Sequence, residues 1–122
     1  MDRYNAILYV ADIRRSVAFY GERLKAEPVE CSANFALFAL PSGGLLGLWG
    51  RHDVAPPAGA GGGGFELFFP VADRDTVDAT YGEWTACGCA VAQQPETLDF
   101  GYSFVVLDPD DNRLRVCFLS EP

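Results

Sequence analysis

The sequence predicts an α+β fold made of two βαβββ modules in tandem, and three observations predict it. The chain of 122 residues repeats itself at half its length: Val10-Ala11-Asp12 returns as Val71-Ala72-Asp73, Ala18 as Ala79, and Tyr20-Gly21-Glu22 as Tyr81-Gly82-Glu83. In each half a β-prone run precedes the shared Val-Ala-Asp, and apolar residues at helical spacing follow it. Each half then closes with two apolar runs joined by a cluster of turn formers. A unit of about 60 residues buries too little surface to stand alone easily. The modules are therefore expected to close on each other, on a second chain, or on both.

The elements follow in order. Arg3 to Val10 is apolar and β-prone and ends at Asp12, a good helix N-cap, after which Ile13, Val17, Tyr20 and Leu24 recur at helical spacing. Pro28 marks the exit. Phe35 to Leu40 and Leu45 to Trp49 form a hairpin about Pro41-Ser42-Gly43-Gly44. Arg51 to Gly64, with Pro56-Pro57 and the run Gly61 to Gly64, has little preferred conformation and reads as a linker. The boundaries are thus residues 1–50, a linker over 51–64, and a second module over 65–122. There, Phe65 to Val71 is a strand, and Val77, Tyr81 and Trp84 form the helix stripe after Asp73. A short strand lies near Ala90 to Ala92, followed by a loop through Pro95. Tyr102 to Leu107 and Leu114 to Leu119 make a hairpin across Asp108-Pro109-Asp110-Asp111-Asn112.

Composition excludes several classes. A net charge of −8, with Lys25 the only lysine and eight scattered arginines, argues against nucleic acid, because phosphate binding needs clustered cations. Asp2, Arg3 and Asp12 interrupt any signal-peptide core. The longest uncharged run, Cys31 to Gly50, is broken by its Pro-Ser-Gly-Gly turn, so a soluble, cytoplasmic protein without a membrane partner is expected. Cys31, Cys87, Cys89 and Cys117 are expected as reduced, mostly buried thiols.

A strand ending in Val-x-Asp at the start of each half, Ser16 to Tyr20 in the first helix, and Asp-Pro-Asp-x-Asn-Arg-Leu between the last strands together resemble the vicinal oxygen chelate superfamily. That is the group of glyoxalase I, extradiol dioxygenases and bleomycin-resistance proteins. The resemblance covers essentially the whole chain. It implies that each module curls its four strands into half of a cup, giving a curved mixed sheet around a cavity, and that two chains form a homodimer; the glycine run Gly61 to Gly64 reads as a hinge that allows modules to be exchanged between chains. The resemblance also locates the ligands of the metal-dependent members. Those on the first strands fall at Asn5 and Glu66, seven residues before Asp12 and Asp73. The last-strand ligand falls at Arg115, and the fourth lies in Leu45 to Trp49, where only Leu, Gly and Trp are available. A divalent ion needs three or four deprotonated donors. The expectation is no metal, no cofactor and no catalytic residues, with Glu66 and Arg115 paired across the site.

Strand alternation sorts the remaining side chains. Ala6, Leu8 and Val10, with Leu67, Phe69 and Val71, face the helices, as do Leu46, Leu48, Leu114, Val116 and Phe118. Asn5, Ile7, Tyr9, Leu45, Gly47, Trp49, Glu66, Phe68, Arg113, Arg115 and Cys117 face the cavity. With Ser42-Gly43 as a two-residue turn, Phe38 joins the cavity set opposite Gly47, and a one-residue slip would exchange it. Tyr102 or Phe104 supplies a further ring. The expected binding residues are therefore Asn5, Tyr9, Phe38, Trp49, Glu66, Phe68, Tyr102 and Arg115.

Flat aromatic walls with few polar groups fit a planar small molecule. The leading expectation is metal-independent sequestration of an aromatic antibiotic or drug. The alternative is a glyoxalase- or dioxygenase-type lyase or isomerase, metal-dependent or using Glu66 as a metal-free base. A regulatory module with a vestigial cavity is the third reading. Trp49 has a competing reading as dimer core, and the Glu66–Arg115 pair one as a purely structural link. His52, between Arg51 and Asp53, reads as a solvated loop residue, and Cys87-Gly88-Cys89 lacks partner ligands for a metal. Asp12 and Asp73 read as helix caps.

Overall fold

The computed structural model describes residues 5–59 and 65–120. The chain divides into two compact units, Met1–Ala60 and Gly61–Pro122. The first contains β1 (Ala6–Val10), α1 (Ile13–Leu24), β2 (Glu30–Cys31), β3 (Phe35–Ala39) and β4 (Leu45–Gly50). The second contains β5 (Glu66–Pro70), α2 (Arg74–Thr85), β6 (Val91–Leu98), β7 (Gly101–Leu107) and β8 (Arg113–Leu119). The strand orders, β1-β4-β3-β2 and β5-β8-β7-β6, are the same, with the first strand parallel to the last and the others antiparallel. The repeat in the sequence is thus a repeat of topology. Among the described residues, no helix is long and apolar enough to cross a membrane.

Both helices start on the duplicated aspartate. Asp12 accepts from the Arg15 backbone N–H at 3.3 Å, and Asp73 from that of Thr76 at 2.8 Å and its hydroxyl at 2.6 Å. The Thr76 hydroxyl and N–H together hold the Asp73 carboxyl below its ordinary value of 3.8. Lys25, in the left-handed region at φ 53°, ends α1 and donates its N–H to the Gly21 carbonyl.

In the first unit the buried stripe of α1 is Ile13, Ser16, Tyr20 and Arg23, with Val17 and Leu24 only half-buried. It covers Leu8, Val10, Ala36, Phe38, Leu46 and Leu48, all buried. Phe38 therefore belongs to the helix-facing side: a Cβ on Gly21 would lie 3.9 Å from its ring. This corrects the expected cavity position. The reason is turn length. Leu40 C=O accepts from Gly43 N–H, and Leu40 N–H donates to Gly44 C=O, so the loop has three residues, Pro41-Ser42-Gly43. Proline at the second turn position and Gly43 at φ +99° suit that loop. Phe38 then pairs with Leu46, and Leu37 takes the place opposite Gly47.

In the second unit the core is aromatic. Phe104 meets Tyr81 and Trp84 edge to face at 5.2 and 5.7 Å, and Phe69 meets Trp84 at 5.5 Å. The Asp108–Asn112 turn is held by one side chain. Asp108 Oδ1 accepts from the N–H groups of Asp110 and Asn112 at 2.8 Å, and Oδ2 from the Asn112 amide at 3.0 Å. β6 is longer than expected and runs through Pro95. It lies on the sheet edge with register shifts on either side of Gln93, where a missing N–H removes no ladder bond.

The stretch expected as linker takes defined structure up to residue 59. Arg51–Asp53 form a 3-10 turn, Val54 is buried, and Arg51 Nη1 donates to the Gly59 carbonyl at 2.6 Å. Gly61–Gly64 lie outside the described residues. The thiols also depart from expectation: only Cys117 is buried, Cys89 is half-buried, and Cys31 and Cys87 are exposed.

Three glycines give a graded test. At Gly101, φ +153°, a Cβ would overlap the Phe118 carbonyl oxygen, so Gly101→Ala is expected to cost about 3 kcal/mol or more. Gly43→Ala meets nothing within 4 Å and carries only its backbone strain, about 1 kcal/mol. Gly82→Ala, in an open helical position, should stabilise by about 0.5–1 kcal/mol. Urea unfolding of the three variants checks the order.

Candidate ligand-binding site

The sheet faces turned away from the helices hold the candidate residues, and each unit presents its own set. In the first unit that face is almost wholly apolar. Ile7 is 50% and Tyr9 40% exposed. Tyr9 pairs with Trp49 across the parallel β1–β4 ladder, and their rings meet edge to face at 6.4 Å. Phe35 is the antiparallel partner of Trp49 from β3. Gly47 makes this surface possible: a Cβ there would lie 3.2 Å from Phe35 Cζ and 3.3 Å from Ile7 Cγ1, so its absence lets both side chains close over the strand. Asn5 does not present its carbonyl to a guest. Its Oδ1 accepts from the Leu45 backbone N–H at 3.1 Å, tying the start of β1 to β4.

In the second unit one guanidinium dominates the face. Arg115 on β8 donates from Nε to Glu66 Oε2 on β5 at 2.9 Å. From Nη1 it donates to Ser103 Oγ on β7 at 2.9 Å and to Gln93 Oε1 on β6 at 3.2 Å. The arrangement follows from register. Glu66 pairs with Arg113 and Ser103 with Cys117, so both are diagonal to Arg115, and Gln93 is reached across Val105. Phe68 is 40% and Phe100 44% exposed beside it, the Phe100 ring 5.4 Å from the guanidinium carbon. Cys117 lies buried on the same face. Burial pushes its thiol above the ordinary range and the Glu66 charge adds to this, while Arg115 opposes both.

Tyr102 is not on this face. The five-residue Asp108–Asn112 turn sets Leu107 opposite Arg113 and hence Tyr102 opposite Phe118, a helix-side residue. Its hydroxyl donates to Asp78 on α2 at 2.6 Å, and Arg74 lies 3.9 Å over its ring. That bond to Asp78, with burial and the carboxylate charge, raises the phenol above its ordinary value of 10.0, opposed by Arg74. Phe104, the other ring considered, is fully buried against the helix. Sequence reasoning missed Phe35, Leu37, Gln93, Ser103 and Phe100. The three-residue turn signal was available for the first two; the edge-strand bulges hid Gln93.

At the positions where the family resemblance would place metal ligands, each unit's own chemistry is already used: in the first, Asn5 Oδ1 accepts from the Leu45 N–H, and in the second, Glu66 is bound to the fixed cation Arg115. Among the described residues, no group of three or more His, Cys, Asp or Glu is arranged to hold a metal.

Comparison with known proteins places this architecture. Residues 2–116 match the model of the Glyoxalase/Bleomycin resistance protein/Dioxygenase superfamily, and the chain belongs to that superfamily. It is 29% identical over 116 residues to the phenazine antibiotic resistance protein EhpR of Enterobacter agglomerans, covering 91% of this chain and 87% of the relative. A protein of Agrobacterium tumefaciens solved in solution by NMR is 45% identical, with a TM-score of 0.91 over 99% of both chains. A glyoxalase-related enzyme from Fulvimarina pelagi shares the fold at 20% identity, with a TM-score of 0.85 over 97% of this chain and 88% of its own.

The thiols test the burial of this face. In native protein at pH 8, iodoacetamide should label Cys31 and Cys87 readily and leave Cys117 unmodified, with labelling of Cys117 appearing only in urea. Peptide mass spectrometry reads the order.

Proposed function

We propose that the chain binds a planar aromatic small molecule on the sheet faces turned away from its helices, and that it protects by holding the molecule rather than transforming it. The observation that carries this reading is the combination of accessible rings with a spent polar centre. Tyr9, Trp49, Phe68 and Phe100 leave ring surface accessible, and Arg115 and Glu66 pair with each other at positions where the family resemblance would place metal ligands. Stacking on such rings favours a flat, polarisable guest. The relative whose name records resistance to a phenazine, a planar tricyclic antibiotic, supports the same class. Metal-independent binding is supported by the donor set. A cytoplasmic setting agrees with the four free thiols.

Calorimetric titration with phenazines tests the reading. Binding at micromolar concentration is expected, and Trp49→Ala should weaken it by about tenfold, the order of one stacking contact. No heat with any planar antibiotic up to millimolar concentration, or stoichiometric Zn, Ni, Fe or Mn in protein purified without chelator, overturns it.

We further propose a homodimer, supported by the apolar area that Ile7, Tyr9, Phe65 and Phe68 leave exposed in a single chain. Light scattering at tens of micromolar should give twice the mass of 13.2 kDa, and a monomer rejects the dimer.

A further inference from the structure

The bonds that Arg115 and Glu66 make within the sheet do not exhaust either group. Nε of the guanidinium donates to Glu66 Oε2, and Nη1 donates to Ser103 and Gln93. Nη2 keeps two N–H donors that no described residue accepts. Glu66 Oε1 and Gln93 Nε2 likewise have no partner among the described residues, and none of these three atoms is buried. The strand order β5-β8-β7-β6 fixes their order across the face: the carboxylate oxygen, then the guanidinium, then the Gln93 amide toward the edge. Oε1 and Nη2 belong to the two groups joined by the 2.9 Å bond, so one small functional group reaches both. Phe68 is the direct cross-strand partner of Arg115, and the Phe100 ring lies 5.4 Å from the guanidinium carbon. What the centre offers outward is therefore an acceptor beside donors, with accessible ring surface next to them.

Resting on the binding function above, we propose that this centre reads a paired edge: it takes planar aromatic molecules that carry a donor next to an acceptor, as in a carboxamide or a lactam. The N–H of such a guest donates to Glu66 Oε1, its C=O accepts from Arg115 Nη2, and its ring lies against Phe68 or Phe100. Both new bonds involve an ionised partner, which makes each stronger than a bond between neutral groups. The second bond forms within a guest already held by the first, so it adds little ordering cost. A guest with a donor alone covers Nη2 without satisfying it, and one with an acceptor alone does the same to Oε1. The ion pair is neutral as a whole, and a neutral paired edge leaves it so in a half-buried place, where the Arg115 side chain is 13% and that of Glu66 33% exposed. Complementarity to both ends sets the preference, not the sign of either charge.

Titration calorimetry of the full chain at pH 7 decides, with four probes on one ring system. Phenazine-2-carboxamide carries the paired edge, 2-aminophenazine the added donor, methyl phenazine-2-carboxylate the added acceptor, and phenazine neither. The carboxamide is expected to bind about tenfold or more tighter than the amine and the ester. Glu66→Gln keeps a carbonyl for Arg115 Nε and turns an amide donor outward where Oε1 stood. It should weaken the carboxamide and the amine by about tenfold and leave the ester and the parent ring unchanged, whereas a merely structural role weakens all four alike. Carboxamide binding no tighter than that of the amine or the ester in the unmodified protein overturns the paired-edge rule and leaves the binding function standing. That comparison does not depend on the variant folding. A folded Glu66→Gln protein that keeps the carboxamide preference also overturns the rule. Absence of binding by all four probes rejects the binding function as well.

Discussion

One guanidinium links all four strands of the second sheet. Arg115 sits on β8 and donates to Glu66 on β5, Ser103 on β7 and Gln93 on β6. An arginine so little exposed is costly unless every donor it turns inward finds an acceptor and one acceptor carries charge. That requirement fixes much else. Glu66 and Ser103 must stand diagonal to Arg115 in register, and Gln93 must lie where the edge strand shifts register and brings it within reach. The ion pair is part of a network, and its value lies in specifying that register as much as in its Coulomb energy.

The two units share topology and capping but divide the chemistry between them. In the first, Gly47 clears space for Phe35 and Ile7, and the face is apolar except at Asn5, which is used up in holding β1 to β4, and at Glu30, which stands opposite Leu37 on the short edge strand. In the second, the equivalent face carries the polar centre and two exposed rings. Duplication gave both halves the same Val-Ala-Asp start and the same helix, because these solve the same capping and core problem. Divergence went to the side of the sheet that the helix does not need.

Residues on the helix side of the sheets were legible wherever one strand could be read by alternation alone. Leu8, Val10, Leu46, Leu48, Leu114 and Val116 are all buried as their periodicity requires. The same alternation put Ile7, Tyr9, Glu66, Phe68 and Arg115 on the opposite face, and the pairing of Glu66 with Arg115 followed from charge and position. Phe38 is misplaced by a turn read one residue too short, and Tyr102 stands as an alternative to Phe104 with no turn length assigned. Their faces depend on the length of a turn, and one residue of difference moves every side chain of a strand to the other side. Pro41 with Gly43, and the Asp108 side chain with its three hydrogen bonds, set those lengths. Pro95 misled for a different reason, since proline stops a central strand but not an edge one.

By itself the sequence determined the duplicated βαβββ plan, the two helix starts and the helix-facing side of β1, β4, β5 and β8, because capping and period-two alternation are local properties that neighbours in the chain report. The register between strands, the addition of Ser103 and Gln93 to the Glu66–Arg115 pair and the helix-side placement of Phe38 and Tyr102 were decided only in the tertiary structure. Those depend on hydrogen bonds between residues far apart in the chain, and no local pattern encodes which carbonyl a distant N–H will meet.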